Sequence, residues 1–262
     1  MNSLEKNMLA WAEESAVVAR LYYRKTGDLT FKSGREVVTE ADREIETLLR
    51  RRIGKAYPED LVIGEEYGGE STDQPGRRIW QVDPIDGTLN FALGLPGFCT
   101  SLALMQDDTI LAACVHQPLT DDSFTAIKGE GARLNGQRIT VSQRQPLAEA
   151  VVSTQFKKHG RFVQNPALLQ AINLAPLKCR RTGAIALELA WVASGGNDAL
   201  VAGFASQIHL WDVAAGLLLV TEAGGRVTDL AGGQYQTGGP ELLVSNGLIH
   251  QEILDLVAAH SA

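Results

Sequence analysis

The stretch Trp80-Gln81-Val82-Asp83-Pro84-Ile85-Asp86-Gly87-Thr88-Leu89-Asn90 ends a hydrophobic run in two carboxylates, a proline and a glycine. Like charges this close raise each other's pKa, so the arrangement is stable only if something of opposite charge joins it. Two further points share the design of an apolar stretch, a carboxylate and a nearby glycine. One is Glu65-Glu66 after Leu61-Val62-Ile63-Gly64, and the other is Asp212 in His209-Leu210-Trp211-Asp212-Val213-Ala214-Ala215-Gly216. Strand ends converge on ligand sites in open α/β sheets. Carboxylates meeting in such a cleft suit a hard divalent cation, with Mg²⁺ the natural choice because it takes oxygen ligands and keeps several waters. Acids shared between two such ions can clamp the attacking and leaving oxygens of a phosphate ester.

The local chemistry of the turn agrees. Pro84 fixes its own φ and pushes Asp83 toward extended backbone. Gly87 lets the main chain approach a ligand. Thr88-Leu89-Asn90 reads as the first turn of a helix, whose free N–H groups suit a phosphate. Asp212 is expected to open its own helix, where the dipole favours a carboxylate, and Gly224-Gly225 to close it. Each residue also has a plainer reading. Asp is a common turn and helix-start residue, so Asp83, Asp86, Asp212 and Asp42 could serve backbone geometry alone. Thr88 could be a helix-start residue, and Glu65 a solvated strand end. Lys32 reads as a solvated loop lysine, His209 as a packed structural histidine, and Arg180 and Arg181 as surface charges.

The elements that must position these groups are legible from periodicity. Leu4, Met8, Trp11, Ser15, Val18 and Tyr22 recur at helical spacing and predict a long amphipathic helix ending near Thr26-Gly27. Ile45, Leu48, Leu49 and Ile53 predict a second, starting near Glu40 to Asp42 and stopping before Tyr57-Pro58. LVIGEE and RIWQVD read as short strands that run into acids. SLALMQ, ILAACVH and FTAIKG read as strands of one sheet, and LNGQRI carries an Asn135-Gly136 hairpin signal. From about residue 147 strands and helices alternate, from AVVSTQF to the final helix IHQEILDLVAAH, which favours a layered α/β half. The expected division is therefore 1–146, carrying most of the acids, and 147–262, carrying Asp212.

Composition narrows the classes. The 262 residues carry a formal net charge of −7, scattered without a basic patch, which argues against nucleic acid as a partner. No apolar run approaches a membrane span, and the charged N-terminus does not read as a signal peptide. Cys99, Cys114 and Cys179 are widely spaced and read as reduced, buried thiols of a cytoplasmic protein. The five histidines show no zinc spacing.

Taken in order, Gly64-Glu65-Glu66, Asp83-Pro84-Ile85-Asp86-Gly87-Thr88, Trp211-Asp212-Val213-Ala214-Ala215-Gly216 and Glu222-Ala223-Gly224-Gly225 resemble the motifs of the inositol monophosphatase family. The similarity extends over nearly the whole chain, including Val38-Thr39-Glu40-Ala41-Asp42 and Gly129-Glu130-Gly131-Ala132-Arg133-Leu134-Asn135-Gly136. The resemblance implies an α+β fold layered αβαβα, a homodimer, and two or three Mg²⁺ ions as cofactors. It implies that Glu65, Asp83 and the carbonyl of Ile85 hold one ion, and Asp83, Asp86 and Asp212 another. Backbone N–H groups of Gly87 and Thr88 would meet the phosphate. The Thr88 hydroxyl, paired with Asp42, would position and deprotonate the attacking water. Lys32 stands nearest to a lysine the family places before the Asp42-type residue.

The implied activity is Mg²⁺-dependent hydrolysis of a small-molecule phosphate ester, whether an inositol phosphate, a sugar phosphate or an amino-alcohol phosphate. Histidinol phosphate, a nucleotide 3′-phosphate or NADP is the alternative within the family, and a non-catalytic regulatory protein the alternative outside catalysis. One departure bears on substrate. Inositol-specific members place an acid a few residues before the Trp-Asp motif, whereas Ala202 or Ala205 stands there in this chain, and no acid lies between Asp198 and Asp212.

Overall fold

Residues 102–105 show how the fold is layered. Leu102 and Leu104 pack with one set of helices, while Ala103 and Met105 pack with another, on the opposite face of the same strand. A strand apolar on both faces needs a helical layer on each side. The computed structural model describes residues 2–25, 30–31, 37–69, 76–156, 164–203 and 208–260. Lys32 and Ala205 lie outside the described residues.

The first layer is α1 (Ser3–Tyr22) against α2 (Glu40–Ala56). β1 (Thr30–Phe31) and β2 (Val37–Val38) form a small antiparallel pair. The second layer is a seven-stranded sheet in sequential order. It comprises β3 (Leu61–Gly64), β4 (Arg78–Asp86), β5 (Cys99–Gln106), β6 (Thr109–Gln117), β7 (Asp122–Ile127), β8 (Gly131–Leu134) and β9 (Gln137–Arg138). Only β3 and β4 are parallel to each other. α3 (Thr88–Ala92) follows β4 directly. A 3₁₀ turn at Leu147–Glu149 leads into β10 (Val151–Phe156), then α4 (Pro166–Leu174), β11 (Lys178–Arg180), α5 (Ile185–Ala193), β12 (Ala199–Gly203), α6 (Leu210–Glu222), β13 (Arg226–Thr228), β14 (Glu241–Ser245) and α7 (His250–Ala259).

The five strands of this second half run β11-β10-β12-β14-β13. β10 is parallel to β11 and β12, while β14 is antiparallel to β12 and β13. α5 and α6 fill the space between the sheets, and one core joins their Leu187, Leu189, Val213 and Leu219 to Val115 of the first sheet and Leu200 and Val244 of the second. α4 and α7 cover the outer face of the second sheet through Leu168, Ile172, Ile253 and Val257. The order is αβαβα, as the family resemblance implies.

Several boundaries differ from expectation. α1 ends at Tyr22, well before Thr26-Gly27. β11 carries no apolar alternation, and its strand geometry comes from pairing with Val151, Val152 and Ser153. Asp212 does not open its helix. α6 starts at Leu210, with His209 as N-cap, so the carboxylate sits in the first turn, where the dipole still favours it. α6 does end as expected, with N–H bonds from Gly224 to Thr221 O and from Gly225 to Val220 O. Cys179 is half-buried, unlike Cys99 and Cys114. Among the described residues no helix is long and apolar enough to cross a membrane.

Candidate metal and phosphate site

β4 continues three residues beyond Asp83, through Pro84, to Asp86. Its pairing with β5 explains how. Asp83 lies opposite Ser101 and Asp86 opposite Cys99, so three steps on β4 match two on β5. That extra residue is a bulge, the one place in a sheet interior where proline fits. In a regular strand, residues three apart face opposite sides. The bulge shifts the alternation by one and lets Asp83 and Asp86 serve one site. Thr100 Oγ1 fixes it by donating to Pro84 O at 2.9 Å.

Gly87 then turns the chain at φ 88° into α3. A Cβ there would sit 2.7 Å from Gly97 O and 3.0 Å from the Ala184 side chain, so only glycine is accommodated. Glu65 comes from the parallel neighbour β3 and its tight turn, where Gly64 and Gly68 exchange backbone bonds of 2.9 Å. Beneath that turn lies Glu46 of α2, fully buried. It accepts from Glu66 N at 2.7 Å and Tyr67 N at 3.2 Å, and pairs with Arg50 at 2.8 Å. Arg50 in turn donates to Val62 O at 3.1 Å and to Gly68 O. The sequence carried a sign of this clamp in the i,i+4 Glu-Arg spacing on α2, but nothing in it points to the turn of β3.

These elements meet at one cleft of about 190 Å³. Glu65, Asp83, Ile85, Asp86, Gly87, Thr88 and Asp212 all line it, joined by Gln155, Gly183 and Ile185. Asp83 is 2% exposed, and its Oδ1 finds no hydrogen-bond partner. Burial, then the charges of Glu65, Asp86, Asp212 and Asp42, hold its pKa well above the carboxylate range. Asp86 is raised in the same sense, by burial and then by Asp212.

Asp86 has a second occupation. Its Oδ1 accepts from Ile185 N at 3.1 Å, and its Oδ2 from Ala186 N at 2.8 Å and Leu187 N at 3.3 Å. α5 has no side-chain cap of its own, so this acid from the first sheet caps a helix of the second half. No local pattern at residues 184–188 signals it.

Asp42 occupies the third position of α2 and forms a capping box with Thr39, its Oδ2 accepting from Thr39 N at 2.8 Å and Thr39 Oγ1 at 2.5 Å. Its Oδ1 lies 3.4 Å from Thr88 Oγ1, which donates at the shorter distance of 2.9 Å to Ile85 O. Burial pushes Asp42 up to about 7, against the lowering effect of the Thr39 bonds. His209 is exposed and lies flat on Trp211, with ring centroids 4.4 Å apart, so it is stacked and not packed in a core. Arg180 and Arg181 are exposed.

The donor set is all oxygen. Among the described residues no three acidic, imidazole or thiol groups close into a finished cage. The acids surround an open cleft instead, an arrangement that suits an ion keeping several waters. An orphaned buried carboxylate oxygen beside three further acids fits a hard divalent cation.

Five alternating layers with acids gathered between the sheets define the class of fold. Solved structures that share it include the following two. The Thermotoga maritima IMPase covers 97% of this chain and 96% of its own, at 33% identity and TM-score 0.86. The native extragenic suppressor protein suhB of Bartonella henselae covers 98% of both, at 30% identity and TM-score 0.90. Curated relatives include the fructose-1,6-bisphosphatase/inositol-1-monophosphatase of Thermotoga maritima, 35% identical over 90% of this chain and 89% of that protein. The Nus factor SuhB of Pasteurella multocida is 36% identical over 98% and 96%. The Inositol monophosphatase family profile matches residues 4–262, and the chain belongs to that family.

Proposed function

We propose that this protein is a Mg²⁺-dependent phosphomonoesterase acting on a small phosphate ester, an inositol, sugar or amino-alcohol phosphate. The observation that carries this reading is the unpartnered, buried Asp83 Oδ1 in a cleft shared with Glu65, Asp86 and Asp212. Glu65, Asp83 and the Ile85 carbonyl would hold one ion, and Asp83, Asp86 and Asp212 another. Bound there, Mg²⁺ would supply the positive charge that offsets the acids and the phosphate oxygens.

The chain's own residues do the rest. The N–H groups of Gly87 and Thr88, at the start of α3, have no intrahelical partners and orient the phosphate. Asp42 Oδ1, 3.4 Å from Thr88 Oγ1, takes up the hydroxyl proton as Thr88 Oγ1 receives one from the attacking water. Phosphoryl transfer needs little more than such positioning and charge. The lysine position falls to Lys32, and the division at 146/147 and a cytoplasmic homodimer belong to the same reading; gel filtration checks the homodimer.

A second reading, a regulatory binding protein, draws on relatives named Nus factor SuhB. Phosphate release decides between them. Purified protein is given inositol 1-phosphate, histidinol phosphate, fructose 1,6-bisphosphate, adenosine 3′,5′-bisphosphate and NADP, with Mg²⁺ or EDTA. Turnover that needs Mg²⁺ and disappears in Asp83→Asn supports the phosphatase. No turnover of any ester, with a Mg²⁺-induced rise in melting temperature preserved, supports the binding protein.

A further inference from the structure

Gln155 lines the acid cleft from the second sheet, and no motif points to it. It is 8% exposed and sits on β10, in register with Ala202 of β12. Ala202 is fully buried in that strand. The second sheet therefore brings a neutral amide to the cleft beside a position where an inositol-gripping acid was sought in the sequence.

The amide has a defined direction. Gln155 Nε2 donates to Glu188 Oε2 at 2.8 Å. Glu188, fully buried on α5, accepts at its other oxygen from Thr182 N and Thr182 Oγ1, both at 2.7 Å. As a carboxylate Glu188 can only accept, at Oε1 from Thr182 and at Oε2 from Gln155, so it takes the NH₂ side of the amide. The carbonyl oxygen of Gln155 is then the group left for the cleft.

We propose that Gln155 Oε1 accepts a hydrogen bond from a hydroxyl of the leaving alcohol, and that it selects polyol phosphates over esters of simple alcohols. This rests on the phosphatase reading above. A neutral acceptor suits a neutral hydroxyl, since an ammonium group gains more from a carboxylate. Selection follows because a buried polar group built to meet a donor is left unpaired by a substrate lacking one. Glu188 is the positioning residue, holding the amide by its nitrogen.

The test uses glycerol 2-phosphate and isopropyl phosphate, which share a three-carbon skeleton with and without hydroxyls. The readout is the ratio of their kcat/KM values with Mg²⁺. Wild type is expected to favour glycerol 2-phosphate, and Gln155→Met to lower that ratio about 5- to 10-fold, the worth of one hydrogen bond. Gln155→Asn, one methylene shorter, is expected to lower it as well. A role confined to supporting Glu188 would depress both esters together, and an unchanged ratio in both variants overturns the proposal. So does a wild-type ratio near unity, or a larger loss on ethanolamine phosphate than on glycerol 2-phosphate. If wild type hydrolyses neither ester nor any compound of the wider panel, the phosphatase reading falls and the Gln155 assignment falls with it. Hydrolysis with an unaltered ratio removes the Gln155 assignment alone.

Discussion

Asp83 and Asp86 belong to one motif, yet replacing each by asparagine should move stability in different directions. Asp83 Oδ1 has no partner to lose, and four neighbouring acids disfavour its charge. In metal-free protein Asp83→Asn removes repulsion at little cost, so its melting temperature should equal or exceed wild type. Asp86→Asn also removes repulsion but turns one acceptor into a donor against the start of α5. If oxygen stays toward Ala186 N and Leu187 N, the new NH₂ faces Ile185 N. That strands a buried N–H, costing about 1–3 kcal/mol, and weakens a charged helix cap, costing about 1 kcal/mol. Fewer acids bear on Asp86 than on Asp83, so the smaller repulsion relieved and the lost cap both place Asp86→Asn below Asp83→Asn. Asp86→Asn should be the less stable of the pair by about 2–4 kcal/mol, which is roughly 4–16 °C at 2–4 °C per kcal/mol. Thermal melts in EDTA give the gap, and melts in Mg²⁺ should show the wild-type upshift reduced in both variants. Equal melting temperatures, or a more stable Asp86→Asn, would refute the assignment of Asp86 as the cap that joins the two halves.

Three further outcomes are expected. Thr88→Ala should lower kcat about 10²-fold with little change in the Mg²⁺ concentration giving half-maximal rate, while Thr88→Ser keeps most activity, as steady-state assays would show. A Cβ at Gly64 would lie 2.2 Å from Glu46 Oε1. Gly64→Ala should therefore displace Glu46 from its bonds to the Glu65 turn, cost roughly 2–4 kcal/mol in thermal melts, and raise the Mg²⁺ requirement. His250 is buried between Thr228 Oγ1 at 2.9 Å and Ser245 Oγ at 2.8 Å, and burial lowers its pKa to about 4. The unfolded chain binds this proton first, so the stability present above pH 6.5 is lost as pH falls toward 4. Between those pH values wild type with Mg²⁺ should lose roughly 2–3 kcal/mol more than His250→Gln, read from denaturant midpoints at each pH.

Local chemistry alone determined much of this protein. Helical spacing marked α2 within a residue or two, and short apolar runs marked β5 to β7. Asn135-Gly136 marked the β8–β9 hairpin, where both residues take positive φ, and the acids followed apolar runs wherever a strand end was expected. Those signals sit within a few residues of one another, so a sequence displays them directly. Only the tertiary structure decided the rest. The bulge that puts Asp83 and Asp86 on one site exists because β4 pairs with β5, and β11 is a strand because β10 lies beside it. Asp86 caps a helix a hundred residues away, Glu46 clamps a turn it does not adjoin, and Glu188 aims Gln155 from another element. Each is a hydrogen bond between groups distant in the chain, whose energy depends on burial and direction. Residue type announces the capacity for such a bond, and packing alone supplies its partner.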